Sequence, residues 1–131
     1  MGAFQAERWS VDLPKGWTGR RDPECATFQA NGSVGAFQIS AAEKEHGPVT
    51  DEDLLDFASD DLAERTMLSP VVYGLFSGFS LQKLKGNILW IKWWLRCGDL
   101  MVFATYNGPR DVGEADLPLV SDILGSLRAR T

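Results

Sequence analysis

Hydrophobic positions are most concentrated between Ile88 and Tyr106, in two runs broken by a short polar loop. Ile88-Leu89-Trp90-Ile91-Lys92-Trp93-Trp94-Leu95-Arg96-Cys97 is followed by Gly98-Asp99 and then Leu100-Met101-Val102-Phe103-Ala104-Thr105-Tyr106, and this stretch holds three of the chain's five tryptophans. Two aromatic and β-branched runs around a short loop that begins with glycine predict a β-hairpin with a type II′ turn. The loop fixes the register: Cys97 opposite Leu100, Leu95 opposite Val102, Trp93 opposite Ala104 and Ile91 opposite Tyr106. That face is apolar throughout, and its largest side chain meets its smallest, as close packing favours. The other face sets Trp90 against Asn107, Lys92 against Thr105, Trp94 against Phe103 and Arg96 against Met101. A solvated face rarely holds Trp94, Phe103 and Met101 together, so it too is expected to be covered.

Elsewhere the pattern is shorter in range. Phe4 to Leu13 predicts a first strand, stopped by Pro14-Lys15-Gly16. Glu24 to Ala30 and Val34 to Ala41 predict a pair of strands around the turn signal Asn31-Gly32-Ser33. After Gly47-Pro48, Thr50-Asp51-Glu52-Asp53 forms a capping box that opens a helix to about Met67, with Leu54, Leu55, Ala58 and Leu62 on one face, ended by Pro70. Val71 to Lys85 reads as one strand, turned back by Gly86-Asn87. That turn puts Gly78 and Ser80 opposite Leu95 and Trp93, and Phe79 and Leu81 opposite Trp94 and Lys92. A second helix over roughly Glu114 to Arg128 carries Leu117, Val120, Leu124 and Leu127 as a stripe, with Glu114 and Asp116 near its start and Arg128 near its end matching the helix dipole. Both sheet faces have apolar centres, which predicts one helix on each. The expected fold class is α+β: a single antiparallel sheet of about six strands with helices packed on its faces, an α/β/α sandwich.

Composition narrows the classes. With 131 residues and no linker-like segment, residues 1–131 are expected to form one domain. Hydrophobic content of 44% and charged content of 24% are those of a folded protein. A net charge of −5 and a pI near 4.8 disfavour nucleic acid and anionic membranes as partners and suit a basic protein. No window is apolar enough to span a bilayer, and the N-terminus lacks the basic and apolar regions of a secretory signal. Ala6 stands where N-myristoylation requires serine or threonine, so the expected location is cytoplasmic.

The inventory of chemistry is thin. Cys25 and Cys97 are too few for a disulfide framework or a four-cysteine metal site, and His46 is the single histidine. Neither a phosphate-binding glycine loop nor a nucleophile elbow is present, and Gly74, Gly78 and Gly86 are spread through strand-like sequence. No enzyme activity, metal or cofactor is expected. The alternative is a small-ligand-binding protein or enzyme that uses a cleft between sheet and helix, drawing on Cys25 or His46.

Two surfaces are candidates for contact with another protein. Asp51, Glu52, Asp53, Asp56, Asp60, Asp61 and Glu64 make the outer face of the first helix acidic. It is either a solvated face or a docking surface for a basic partner, whose complementary charge would speed encounter. Trp90 and Trp94 lie on the mixed face of the hairpin, and the register sets Trp90 between Lys83 and Lys92. The lysines either settle the ring through cation–π contacts of about 0.5–1 kcal/mol, or the ring is an anchor for a partner.

Trp9-Ser10-Val11-Asp12-Leu13-Pro14-Lys15-Gly16-Trp17, Val34-Gly35-Ala36-Phe37-Gln38-Ile39-Ser40, the capped acidic helix, the tryptophan hairpin ending Thr105-Tyr106 and the closing Ile123-Leu124-Gly125-Ser126-Leu127 together resemble the PsbP/Mog-like family, including its bacterial DcrB-like members. The resemblance covers nearly the whole chain and consists of core and turn positions. It implies an antiparallel sheet between helices and generally non-enzymatic roles: extrinsic photosystem subunits, a nuclear import factor, and bacterial chaperones that cradle transmembrane segments of secreted effectors. It assigns no site residue. The expected function is a non-catalytic protein-binding module of a bacterial cytoplasm, such as a toxin-immunity protein or effector-associated chaperone. Its partner would be an effector, a toxin or another basic protein, and it would act as a monomer or homodimer.

Overall fold

The predicted tryptophan hairpin forms with the expected register. In the computed structural model, which describes residues 2–61 and 67–130, β8 (Ile88–Cys97) and β9 (Leu100–Pro109) pair Cys97 with Leu100, Trp93 with Ala104 and Trp90 with Asn107. Gly98 takes the positive φ of 59° that the first loop position needs. β7 (Phe76–Lys85) joins the other side of β8, with Ser80 opposite Trp93 and Lys83 opposite Trp90. The remaining elements are β1 (Gly2–Gln5), β2 (Trp9–Leu13), β3 (Trp17–Arg21), β4 (Ala26–Ala30), β5 (Ala36–Glu43), α1 (Asp51–Ala58), β6 (Ser69–Tyr73), α2 (Arg110–Gly125) and β10 (Arg128–Ala129).

The fold is α+β, with two sheets where one of about six strands was expected. Seven strands run in the order β3-β4-β5-β9-β8-β7-β6, and a second sheet of three runs β1-β2-β10. All neighbours are antiparallel. Three local features account for most of the difference, and the two-residue β10, at the expected end of the second helix, for the rest. The segment Phe4 to Leu13 is a hairpin, not one strand, because Ala6 N–H donates to the Trp9 carbonyl at 2.9 Å and turns the chain over Glu7-Arg8. Val71 to Lys85 is likewise split, at Gly74 (φ 60°) and Leu75, into β6 and β7. β3 shows no alternation in sequence because, apart from Trp17, it is an exposed polar edge.

Both helices depart from their expected bounds. α1 ends at Ala58 and is followed by a 3₁₀ turn over Ser59–Asp61. The expected extension to Met67 and its apolar Leu62 fall on residues 62–66, outside the described residues. α2 begins at Arg110, directly after Pro109, and its acidic first-turn residue is Asp111. Asp116 is buried in mid-helix and Arg128 belongs to β10, so neither serves the helix dipole.

The two faces of the large sheet have different cover. On one, Trp93, Leu95, Val102, Ala104 and Tyr106 join Phe28, Phe37 and Ile39 beneath α2 (Val120, Ile123, Leu124) and the small sheet (Trp9, Val11). Phe37 and Trp93 meet edge-on with ring centroids 5.8 Å apart. On the other face, Leu54 and Ala58 of α1, with Val49, close over Phe79, Leu81 and Trp94. Each of the larger aliphatic side chains contributes about 1.5–3 kcal/mol by leaving water, which is what seats a short helix on a sheet.

Candidate functional site

Of the residues singled out from sequence, Trp90, Trp94, Lys83 and Lys92 lie on β7 and β8, Asp53 and Asp56 on α1 and Asp60 on the 3₁₀ turn that follows it, and the helix start explains which of the acids are free to act. Thr50 caps α1: its Oγ1 accepts from the Asp53 N–H at 3.2 Å, while the Asp53 carboxylate accepts from the Thr50 N–H at 2.9 Å. Lys44 Nζ adds an ion pair to the same Asp53 oxygen at 2.7 Å. Hydrogen bonding from Lys44, then from the Thr50 backbone, holds the Asp53 carboxyl below its ordinary range. Arg96 of β8 reaches Asp51 at 2.7 Å. The loop before the helix is tied to the hairpin turn by Val49 N–H to the Gly98 carbonyl at 2.8 Å and Lys44 N–H to the Asp99 carbonyl at 2.9 Å.

The acidic face is therefore partly consumed in docking the helix. Asp53 is half-buried and internally paired, whereas Asp56 and Asp60 point to solvent. Glu64 lies outside the described residues.

The tryptophans separate sharply. Trp94 is wholly buried, with Phe79 and Phe103 each 5.6 Å away between ring centroids, so it is a core residue and not a contact for a partner. Its indole Nε1 and that of Trp17 are buried and meet no hydrogen-bond acceptor among the described residues. Trp90 is 37% exposed, and Ile88 on the same face is 37% exposed as well. They lie at the end of the sheet that α1 does not reach, with Lys83 across from Trp90 on β7 and half-buried Lys92 two positions along β8.

Three clefts open among the described residues at or near this sheet. One, of about 430 Å³, lies between α1 and the sheet, walled by Phe57 and Asp56 and floored by Ala42, Val49 and Met101. A smaller one, about 230 Å³, continues along the β5–β9 floor at Ser40, Phe103, Gln38, Thr105 and Cys25. The largest, about 520 Å³, sits past the tip of the β3–β4 hairpin and takes in Arg8, Arg21, Glu24, Cys25 and the exposed end of β5. Cys25 lines two of the clefts and His46 lines none of them. Among the described residues no three histidine, cysteine or acidic side chains converge as a metal site would require, and no helix is long and apolar enough to cross a membrane.

The largest of these three clefts was missed from sequence. The strands expected over Glu24 to Ala30 and Val34 to Ala41 are nearly equal in length, whereas β4 has five residues and β5 eight.

No family model matches the chain, and no curated protein matches it. The fold is similar to that of a crystal structure from Bacteroides thetaiotaomicron VPI-5482, with a TM-score of 0.67 over 94% of this chain at 15% identity. The chain spans 45% of the length of that protein. At this identity the likeness establishes the fold alone.

Proposed function

We propose that this chain is a non-catalytic protein-binding module, acting as toxin-immunity proteins and effector-associated chaperones of the bacterial cytoplasm do, with Trp90 in its contact surface. The observation that carries the reading is the exposure of Trp90 beside Ile88 at the uncovered end of the sheet. Large rigid rings at partner surfaces supply much apolar area for little conformational entropy and are enriched among the residues that dominate binding. Lys83 contributes an aliphatic stem and a charge at the rim of that patch. Asp56 on α1 and Asp60 on the 3₁₀ turn after it favour encounter with a basic partner. The PsbP/Mog-like resemblance of the core and turn positions supports the same class of role.

A photo-crosslinking amino acid at position 90, expressed in the source organism, tests this. A discrete protein adduct is expected at position 90 and not at position 34, which is also exposed. Absence of any adduct at 90, with the protein folded and abundant, overturns the reading.

A second reading rests on the cleft beside α1, where Phe57 is 49% exposed over an apolar floor. A small apolar ligand held there would raise the melting temperature of the protein and lose that effect in Phe57→Ala, while leaving crosslinking at position 90 unchanged.

A further inference from the structure

Strand β5 outruns its neighbour. The short Gly98-Asp99 loop makes Cys97 and Leu100 a hydrogen-bonded pair, and in antiparallel sheets such pairs alternate with non-bonded ones. Met101 therefore bonds with Ala42 and Phe103 with Ser40, its partners in the β5–β9 register. The Lys44 N–H to Asp99 carbonyl bond continues the same phase. Ile39, Ala41 and Glu43 consequently turn their N–H and C=O groups away from β9, toward β4. Ile39 finds Ala26 there. Among the described residues Ala41 and Glu43 have no strand partner there, because the β3–β4 hairpin ends one step earlier, where Asp22 N–H donates to the Cys25 carbonyl at 2.8 Å across Pro23-Glu24.

The result is a vacant ladder position inside the sheet, not at its rim. Ala41, Ala42 and Glu43 are exposed, and the cleft of about 520 Å³ lies alongside them. The true rims are protected differently. Pro70 occupies an outward-facing position of β6 and has no N–H to offer, and β3 presents Arg20 and Arg21. A strand edge that is open, internal and roofed by a cleft is the arrangement by which extended peptides are captured through main-chain pairing.

The charges at the cleft select the peptide. Arg8 is held by Glu43 at 2.9 Å and Asp99 at 3.0 Å. Arg21 is stacked over Phe4, with its guanidinium 5.5 Å from the ring centroid, and Asp22 is paired with Arg20 at 3.4 Å. Glu7 and Glu24 are exposed at the mouth, and among the described residues neither has an ion pair. We propose that Ser40–Glu43 accepts an extended, basic segment of another protein as an added strand. Its backbone would pair with Ala41 and Glu43, and its lysine or arginine side chains would face Glu7 and Glu24. Four residues in a strand span about 13 Å, so the segment engaged is short. The site lies at the opposite end of the sheet from Trp90, and its failure or success leaves that surface untouched.

The probe is acetyl-Lys-Val-Lys-Val-Lys-amide added to the intact protein, with its glutamate counterpart as the charge control. Binding is read by hydrogen exchange at the Ala41 and Glu43 amides and by alkylation of Cys25 relative to Cys97. The lysine peptide should slow both amides and protect Cys25. N-methylation of one alternate set of peptide nitrogens should weaken binding about tenfold or more, as the loss of paired hydrogen bonds requires, and methylation of the other set should change it little. Ala41→Pro, which removes an N–H that the fold does not use, should weaken binding about tenfold without lowering the melting temperature greatly. Unchanged exchange at Ala41 and Glu43 with the peptide at millimolar concentration overturns the proposal. Equal binding of the two N-methylated peptides overturns the main-chain pairing, and equal binding of the glutamate peptide overturns the assignment of a basic partner.

Discussion

The hydroxyl of Tyr106 on β9 donates to the buried carboxylate of Asp116 on α2 at 2.7 Å. Ser33 Oγ reaches the same oxygen at 3.3 Å and itself accepts the Gly35 N–H at 3.1 Å. Sheet, helix and the loop between β4 and β5 are thus joined at one polar point in an otherwise apolar interior. A Cβ at Gly35 would collide with both the Tyr106 hydroxyl and the Asp116 carboxylate, so the glycine is what lets the loop approach. Removing a buried donor leaves its partner desolvated and under-bonded. Tyr106→Phe should therefore lower unfolding free energy by about 1–3 kcal/mol, measured by urea denaturation, and Gly35→Ala should be destabilising through the same pair.

The same contact sets an alkaline limit on stability. Burial first, and then the hydrogen bond and charge of Asp116, push the Tyr106 hydroxyl well above the ordinary tyrosine range. Above about pH 10, where the unfolded tyrosine loses its proton, the folded state holds more protons than the unfolded one, so stability falls as pH rises. Tyr73, also raised by burial, adds to the slope. Tyr106→Phe should flatten part of that decline in denaturation midpoints taken between neutral and strongly alkaline pH, and an unchanged slope would contradict the assignment.

What was legible in the sequence follows the strength of local signals. The register of β7, β8 and β9 was readable to the residue, because short glycine-containing loops and a period of two leave one alignment that buries Trp93. Gly78 fits the same logic. A Cβ there would strike the Trp94 carbonyl, so the close approach of β7 and β8 requires glycine. The start of α2 was hidden because Gly113 is a poor helix former; it is retained where a Cβ would meet Leu89 Cδ2 at 2.7 Å. The small sheet was illegible because β1 is mostly exposed and β10 has two residues, neither long enough to show alternation. The cleft beside β5 depends on where the β3–β4 hairpin stops relative to another strand, a tertiary relation that no local pattern encodes.

Trp94 and Trp90 stand four residues apart on one strand and one face, yet they should behave as opposites. Trp94→Ala empties a site closed by Phe79, Phe103 and α1 and should cost about 3–5 kcal/mol. Trp90→Ala removes a ring already more than a third exposed and should cost under about 1 kcal/mol. Thermal unfolding of the two variants separates them. A large loss from Trp90→Ala would make that ring part of the core and remove it from the contact surface.

Asp53 serves α1 twice, as the acid of the capping box and as the partner of Lys44. Because its carboxyl is held below the ordinary range, the folded state favours the charged form. Its contribution is present above the unfolded value near pH 4 and is lost as pH falls through the lower folded value. Asp53→Asn keeps the shape but discards the charge. It should destabilise the protein at neutral pH, and its deficit against the parent should shrink as acid is added. Thr50→Ala, which removes the reciprocal acceptor, should cost about 1 kcal/mol. Lys44→Met should reproduce part of the Asp53→Asn effect while leaving the cap intact. Denaturation midpoints measured from neutral pH to about pH 2 decide the matter, since parallel curves for parent and Asp53→Asn would mean that the ion pair and cap contribute nothing that titrates.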